Sequence, residues 1–172
     1  MAENVILVDE NDVQIGVMEK MEAHQKALLH RAFSGFIFND KKELLLQRRD
    51  FKKYHNGGLW SNTVCSHPRP NELTSDAIKR RIFEEFGFNA DFEEVGEFKY
   101  KVSFPNGLTE YEYDHVFISK YNGQIINPNP QEICEYKWIS KKNLLSEINK
   151  NPNNFTFWLK KILESNNLNS YF

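Results

Sequence analysis

A mixed α+β sandwich is the fold class predicted for this chain, on three observations. Apolar residues recur at helical spacing through residues 73–86, β-rich runs flank that segment on both sides, and more helical pattern follows after residue 140. Strands around one strong helix, without regular strand–helix alternation, point to a layered sandwich rather than a repeating βαβ array. The chain has 172 residues, 40% hydrophobic and 14% aromatic, enough to bury a substantial core. Residues 1–172 are expected to form a single domain.

The elements follow in order. Residues 5–9 are a short β-rich run, Glu10-Asn11-Asp12 supplies turn chemistry and residues 13–18 are a second run, so a hairpin at the edge of the sheet is expected. Residues 18–29 have helix or loop character, with His24 and His30 inside or beside them. The nearly continuous apolar run 32–38 suits a buried strand, and Asn39-Asp40 turns into another at 43–47. Residues 48–55, RRDFKKYH, read as a cationic loop before Asn56-Gly57-Gly58 breaks structure. A Cys-x-His pair and a turn then lead into the main helix, where Leu73, Ala77, Ile78, Ile82, Phe83 and Phe86 repeat on one side and Gly87 supplies the stop. Residues 92–102 and 111–118 read as strands joined through Pro105-Asn106-Gly107, an antiparallel pair. Turns at 122–123 and 127–130 precede a strand at 135–139 and helices at 141–149 and 155–165.

Composition excludes several classes of function. A formal net charge of −2 gives no global attraction to nucleic acid. No apolar run approaches the roughly 20 residues of a spanning helix, and the first residues, MAENVILVDE, lack the pattern of a signal peptide. A cytoplasmic protein without a membrane partner is therefore expected. Cys65 and Cys134 lack CxxC spacing and are expected to be thiols.

His24, His30 and His67, with Glu110 and Glu112, are candidate metal ligands of borderline-hard type. Side chains at i and i+2 of a strand share a face, so the two glutamates can converge on one ion; a solvated acidic face is the plainer alternative. Glu84 and Glu85 close the main helix, with Arg81 one turn before Glu85. Carboxylates there suit magnesium with substrate phosphates, or simply an ordinary charged helix. Lys20, Arg48, Arg49, Lys52, Lys53 and Arg81 offer a few groups able to clamp a diphosphate, or a solvated surface. Cys65 is either a reactive thiol or a small buried hydrophobe.

Taken together, Ser66-x5-Glu72-x7-Arg80-Arg81-Ile82-Phe83-Glu84-Glu85-Phe86-Gly87-Phe88 resembles a degenerate Nudix box. Two positions depart from it: Ser66 stands for the opening glycine, and Arg81 for a glutamate. These departures, with Thr63-Val-Cys-Ser-His-Pro68, GVMEK at 16–20, HRAFSGFIF at 30–38, Tyr100 and Glu110-Tyr111-Glu112, resemble type 1 isopentenyl diphosphate isomerases over residues 5 to about 158. His24 and His30 are separated by five residues where that family's bacterial pattern has six.

The resemblance implies a Nudix-type α/β/α sandwich with a mixed sheet. It implies that His24, His30, His67, Glu110 and Glu112 bind one divalent ion, with Mn2+, Mg2+ or Zn2+ suitable, and that Glu85 holds Mg2+ with the substrate diphosphate. Lys20, Arg49, Lys53 and Arg81 match diphosphate contacts. Cys65 and Glu112, the latter assisted by Tyr100, match the groups that move protons, and Trp158, with Trp60 as a weaker candidate, matches an aromatic carbocation stabiliser. The expected thiol is one lowered from about 8.5 by neighbouring cations or metal. The expected partner is a small isoprenoid diphosphate, taken by a monomer. A Nudix hydrolase of a nucleoside diphosphate derivative and an inactive metal-binding homologue are the competing readings.

Overall fold

The computed structural model describes residues 3–53, 56–165 and 168–172. Tyr54 and His55, the end of the expected cationic loop, lie outside the described residues. The chain opens as the expected hairpin, β1 (Asn4–Val8) and β2 (Gln14–Glu19), with β2 at the sheet edge. Asp9 makes the turn by accepting from the backbone N–H groups of Asn11 (2.8 Å) and Val13 (3.0 Å). A short helix, α1 (Lys20–Gln25), is capped by Glu19, whose carboxylate accepts from the Glu22 N–H. The strands β3 (His30–Phe38) and β4 (Leu44–Arg49) follow. β4 takes in Arg48 and Arg49, which the sequence reading placed in a loop; pairing with a later strand extends it past the apolar run.

Two short strands, β5 (Trp60–Ser61) and β6 (Val64–Ser66), occupy the stretch read as a break and a turn. Neither is long enough to show a periodicity. Helix α2 (Thr74–Phe86) then runs between Leu73 and Gly87, as its spacing predicts. The antiparallel pair β7 (Glu93–Ser103) and β8 (Thr109–Lys120) is longer than its apolar core suggested, so Glu110 lies within the strand. The chain ends with β9 (Ile133–Ile139), α3 (Lys141–Lys150) and α4 (Phe157–Glu164).

β3 is the centre of one mixed sheet. It pairs antiparallel with β1, β4 and β6 and parallel with β8, in a register that sets His30 opposite Glu112 and Ser34 opposite Cys65. Alternation along β3 serves two cores. Phe33 and Ile37 pack with Ala77, Ile78, Ile82 and Phe86 of α2, whereas Phe36 and Phe38 pack with Leu144 of α3 and Leu159 and Ile162 of α4. The result is the α/β/α sandwich. Between Phe33 and Ile37 stands Gly35, where an added Cβ would come within 2.7 Å of Val64 and 2.8 Å of Ile78. Only glycine lets β6 and α2 lie this close to β3.

Gly87, with φ of 75°, ends α2 in the left-handed conformation, and its N–H donates to the Phe83 carbonyl. The following chain returns against this end, where the N–H of Asn127 donates to the Phe86 carbonyl and that of Asn129 to the Glu85 carbonyl. A Cβ at Gly87 would meet the Asn127 carbonyl oxygen at 2.8 Å, a backbone group that cannot rotate aside. Gly87→Ala should therefore lower stability by about 2 kcal/mol or more, strain and clash together. Gly107→Ala, also at positive φ (83°) but with nothing within 4 Å, carries strain alone and should cost less. Urea midpoints of the two variants measure the difference, and equal shifts would contradict the packing argument.

Candidate active site

Three elements deliver the histidines and one delivers both glutamates. His24 lies in α1, His30 opens β3, His67 follows β6, and Glu110 and Glu112 alternate along β8. All five are buried, and one ligand atom from each lies within 4.8 Å of all the others. The shorter His24–His30 interval is accommodated by the tight connection after α1, where Ala27 adopts φ of 52°. The expected ligand set is therefore brought together complete.

Second contacts aim the imidazoles. His24 Nδ1–H donates to the Lys20 carbonyl at 2.5 Å and His30 Nδ1–H to the Leu28 carbonyl at 2.8 Å; carbonyls only accept, so the proton of each neutral ring sits on Nδ1. The Nε2 lone pairs then face carboxylates. His24 Nε2 is 2.9 Å from Glu110 Oε2, and His30 Nε2 is 3.7 Å from Glu112 Oε1. Lone pair against anion at these distances calls for a cation between them. Burial pushes the His67 imidazole down to about 4, despite Glu112 Oε1 at 2.9 Å, which leaves it neutral and able to ligate. Burial also raises Glu112, but its contacts with His30 and His67 outweigh it and hold this carboxyl well below its ordinary range. Glu110 is pushed up by burial and by the charge of Glu112. Three imidazoles and two carboxylates fit a divalent ion of borderline type.

A cavity of about 210 Å³ opens beside this cluster, lined by Cys65, Tyr100, Glu110, Glu112 and Trp158 and also by Lys20, Arg49, Lys53, Arg81 and Glu85. The Tyr100 hydroxyl donates to Glu112 Oε2 at 2.6 Å. Cys65 is half-buried, with Arg49 Nη1 3.9 Å and Ser61 Oγ 3.8 Å from its sulfur. Burial pushes Cys65 up to about 11, with Arg49 opposing and Glu85 adding to the rise. One guanidinium does not offset that loss of solvent.

The cations are held by carboxylates. Lys20 pairs with Glu3, and Lys53 and Arg81 share Glu132, Arg81 at 3.2 Å. Arg81 also donates to Glu84 Oε2 (2.8 Å) and Glu85 Oε1 (2.5 Å), while Gln47 donates to Glu85 Oε2 and to the Thr63 carbonyl, both at 2.7 Å. Burial works against the Arg81 charge, but Glu85 and Glu132 outweigh it and keep the guanidinium protonated. Arg48 and Lys52 do not line the cavity: Arg48 pairs with Glu135, and Lys52 is exposed. Trp60 packs with the α3–α4 core and lies under Lys137. Trp158 lines the cavity with Arg49 5.6 Å from its ring centroid, so it serves the cavity wall as well as the helix.

Several residues at the site escaped the sequence reading. Glu3, Gln47, Ser61 and Glu132 carry no local pattern that marks them. Asp114 did have a signal, because it continues the i, i+2 series of Glu110 and Glu112. It is buried and accepts from Ser34 Oγ at 2.7 Å, and burial followed by the Glu112 charge pushes its carboxyl up.

The NUDIX domain family matches residues 28–159 of the chain. Isopentenyl-diphosphate Delta-isomerase 2 of Aromatoleum aromaticum is 46% identical over 164 residues, covering 95% of this chain and 86% of that one. Isopentenyl-diphosphate Delta-isomerase of Burkholderia multivorans is 44% identical over 164 residues, covering 95% and 93%. Among solved structures, a protein of Deinococcus radiodurans superposes with a TM-score of 0.70 at 19% identity over 86% of this chain and 90% of its own. A MutT NUDIX hydrolase from Burkholderia pseudomallei gives 0.62 at 18% over 79% and 96%. These two likenesses concern the fold. With the family match, the identity to the curated relatives and the complete donor set in agreement, the chain belongs to the NUDIX domain family and, within it, to the isopentenyl-diphosphate Delta-isomerases.

Proposed function

We propose that this protein interconverts isopentenyl diphosphate and dimethylallyl diphosphate by adding a proton at one carbon and removing one from another. The observation that carries this reading is that Cys65 and the Tyr100–Glu112 pair line one small cavity together with four cationic side chains. Lys20, Arg49, Lys53 and Arg81 hold the diphosphate and fix the position of the five-carbon chain between the two proton-handling groups.

In the forward direction the Glu112 side, through its carboxyl and the Tyr100 hydroxyl, gives a proton to the terminal methylene. The tertiary carbocation so formed is stabilised by the face of Trp158, an attraction of roughly 0.5 to 2 kcal/mol. Cys65 then takes the proton from the carbon next to the diphosphate-bearing methylene. One proton is thus shared between two faces, and the direction of reaction depends on which face holds it.

His24, His30, His67, Glu110 and Glu112 would hold a Mn2+, Mg2+ or Zn2+ ion, which supplies positive charge beside the Glu112 carboxylate. Glu85 would hold Mg2+ that neutralises part of the diphosphate charge. Arg81 stands against hydrolysis, because it engages Glu84 and Glu85, the carboxylates available for further metal. We take residues 1–172 as one domain acting as a cytoplasmic monomer without nucleic acid, supported by the net charge of −2 and by the lack, among the described residues, of a helix long and apolar enough to cross a membrane.

Incubation with isopentenyl diphosphate and magnesium in deuterated water should yield dimethylallyl diphosphate carrying deuterium, detected by mass spectrometry. Folded, metal-loaded protein that yields none, but releases phosphate from nucleoside diphosphate derivatives, would move the assignment to hydrolysis. Cys65→Ser should reduce kcat by about 10²- to 10⁴-fold with KM little changed, and Glu112→Gln by at least as much. Near-normal rates in both would remove the assigned roles. Elemental analysis after dialysis should find a divalent metal in the wild type and in Cys65→Ser, and much less in His24→Ala; equal retention in all three would separate the metal from this cluster.

A further inference from the structure

We infer that Ser61 is a positioning residue whose hydroxyl fixes the indole of Trp158 against the cavity wall beside Cys65; the inference rests on the isomerase reading above. Ser61 is fully buried. Its oxygen accepts from Trp158 Nε1–H at 3.0 Å and from the Thr156 hydroxyl at 3.2 Å, and its own proton goes to Asn62 Oδ1 at 3.0 Å. A serine hydroxyl has one proton and two lone pairs, and all three are used. Asn62 is itself held by donating to the carbonyls of Gly35 (3.1 Å) and Val64 (2.8 Å). The direction of the Ser61 hydroxyl is thereby referred to β3 and β6, the two strands that place Cys65.

The start of α4 shows the same arrangement from the other side. Thr156 is the N-cap of this helix, yet its side chain caps no backbone N–H. Its hydroxyl turns to Ser61 instead, and its backbone N–H donates to the Trp60 carbonyl at 2.9 Å. A local preference of helix ends is given up at this position, as happens where a contact serves a site. The helix that carries Trp158 is thus docked on β5 through backbone and hydroxyl together. The same Ser61 oxygen lies 3.8 Å from Cys65 Sγ, so ring and thiol share one reference point.

Orientation matters because an aromatic ring attracts a cation at its face and repels one at its edge. That attraction exists only while the substrate carries positive charge, so losing the ring's orientation lowers kcat and leaves KM largely alone. The chain has three tryptophans, and the indole N–H resonance of Trp158 is identified by its loss in Trp158→Phe. Ser61→Ala should shift that resonance and lower kcat by about tenfold to a hundredfold, with KM within about threefold; Ser61→Thr, which keeps the hydroxyl, should restore both. An unchanged kcat in Ser61→Ala, or a loss that threonine does not restore, overturns the inference. Should Ser61→Ala fail to fold, Trp158→Phe decides, because it keeps an aromatic ring while the anchored N–H is lost with the five-membered half of the indole: a wild-type kcat there also overturns it. Wild-type protein without turnover would instead remove the isomerase reading, before any variant is compared.

Discussion

The parallel pairing of β3 with β8 is the constraint on which the rest of the site depends. It sets His30 beside Glu112, and because side chains alternate along both strands, it also fixes Glu110, Asp114 and Ser34 on the same face. A slip of one residue would turn all of these groups to the other core and bring apolar side chains to the metal cluster. β6 adds Cys65 to the opposite edge of β3, at Ser34. Four polar groups of the cavity are thus placed by backbone hydrogen bonds before any side-chain contact is considered.

That framework sustains an electrostatic load which the hydrophobic cores do not share. Three buried imidazoles, two glutamates and Asp114 lie close together, and burial lifts Glu110, Asp114 and the nearby Cys65 and lowers His67. Glu112 is lowered instead, through its contacts with His30 and His67. Elsewhere at the site, Arg81 among Glu84, Glu85 and Glu132 makes a compact network of opposite charges, with Gln47 satisfying the remaining oxygen of Glu85. Of these charged groups only Glu85 is buried, and removing Arg81 would leave its charge without that partner. The two core clusters pack around α2 on one face of the sheet and around α3 and α4 on the other.

The replacement at Arg81 shows how one side chain redirects a familiar helix. The helix still presents Glu84 and Glu85, and the guanidinium donates to one oxygen of each. Positive charge that cannot dissociate is suited to holding a diphosphate intact. The same cavity is lined by the Cys65 thiol and by the Tyr100–Glu112 pair, the groups to which we assign proton transfer.

The sequence by itself determined the elements whose signal is local: the amphipathic repeat and Gly87 stop of α2, the opening hairpin, the β7–β8 pair and the two closing helices. It also determined the residue types of the site, since His24, His30, His67, Glu110, Glu112, Cys65 and Arg81 were recognisable through their joint pattern. Only the tertiary structure decided what depends on long-range pairing. β5 and β6 exist because β4 and β3 accept them, Arg48 and Arg49 join a strand because β9 lies alongside, and the thiol of Cys65 rises because burial outweighs Arg49. Gln47, Ser61 and Glu132 were invisible for the same reason: each is an ordinary polar residue in its own segment, and its role comes from partners 38, 97 and 51 positions away along the chain.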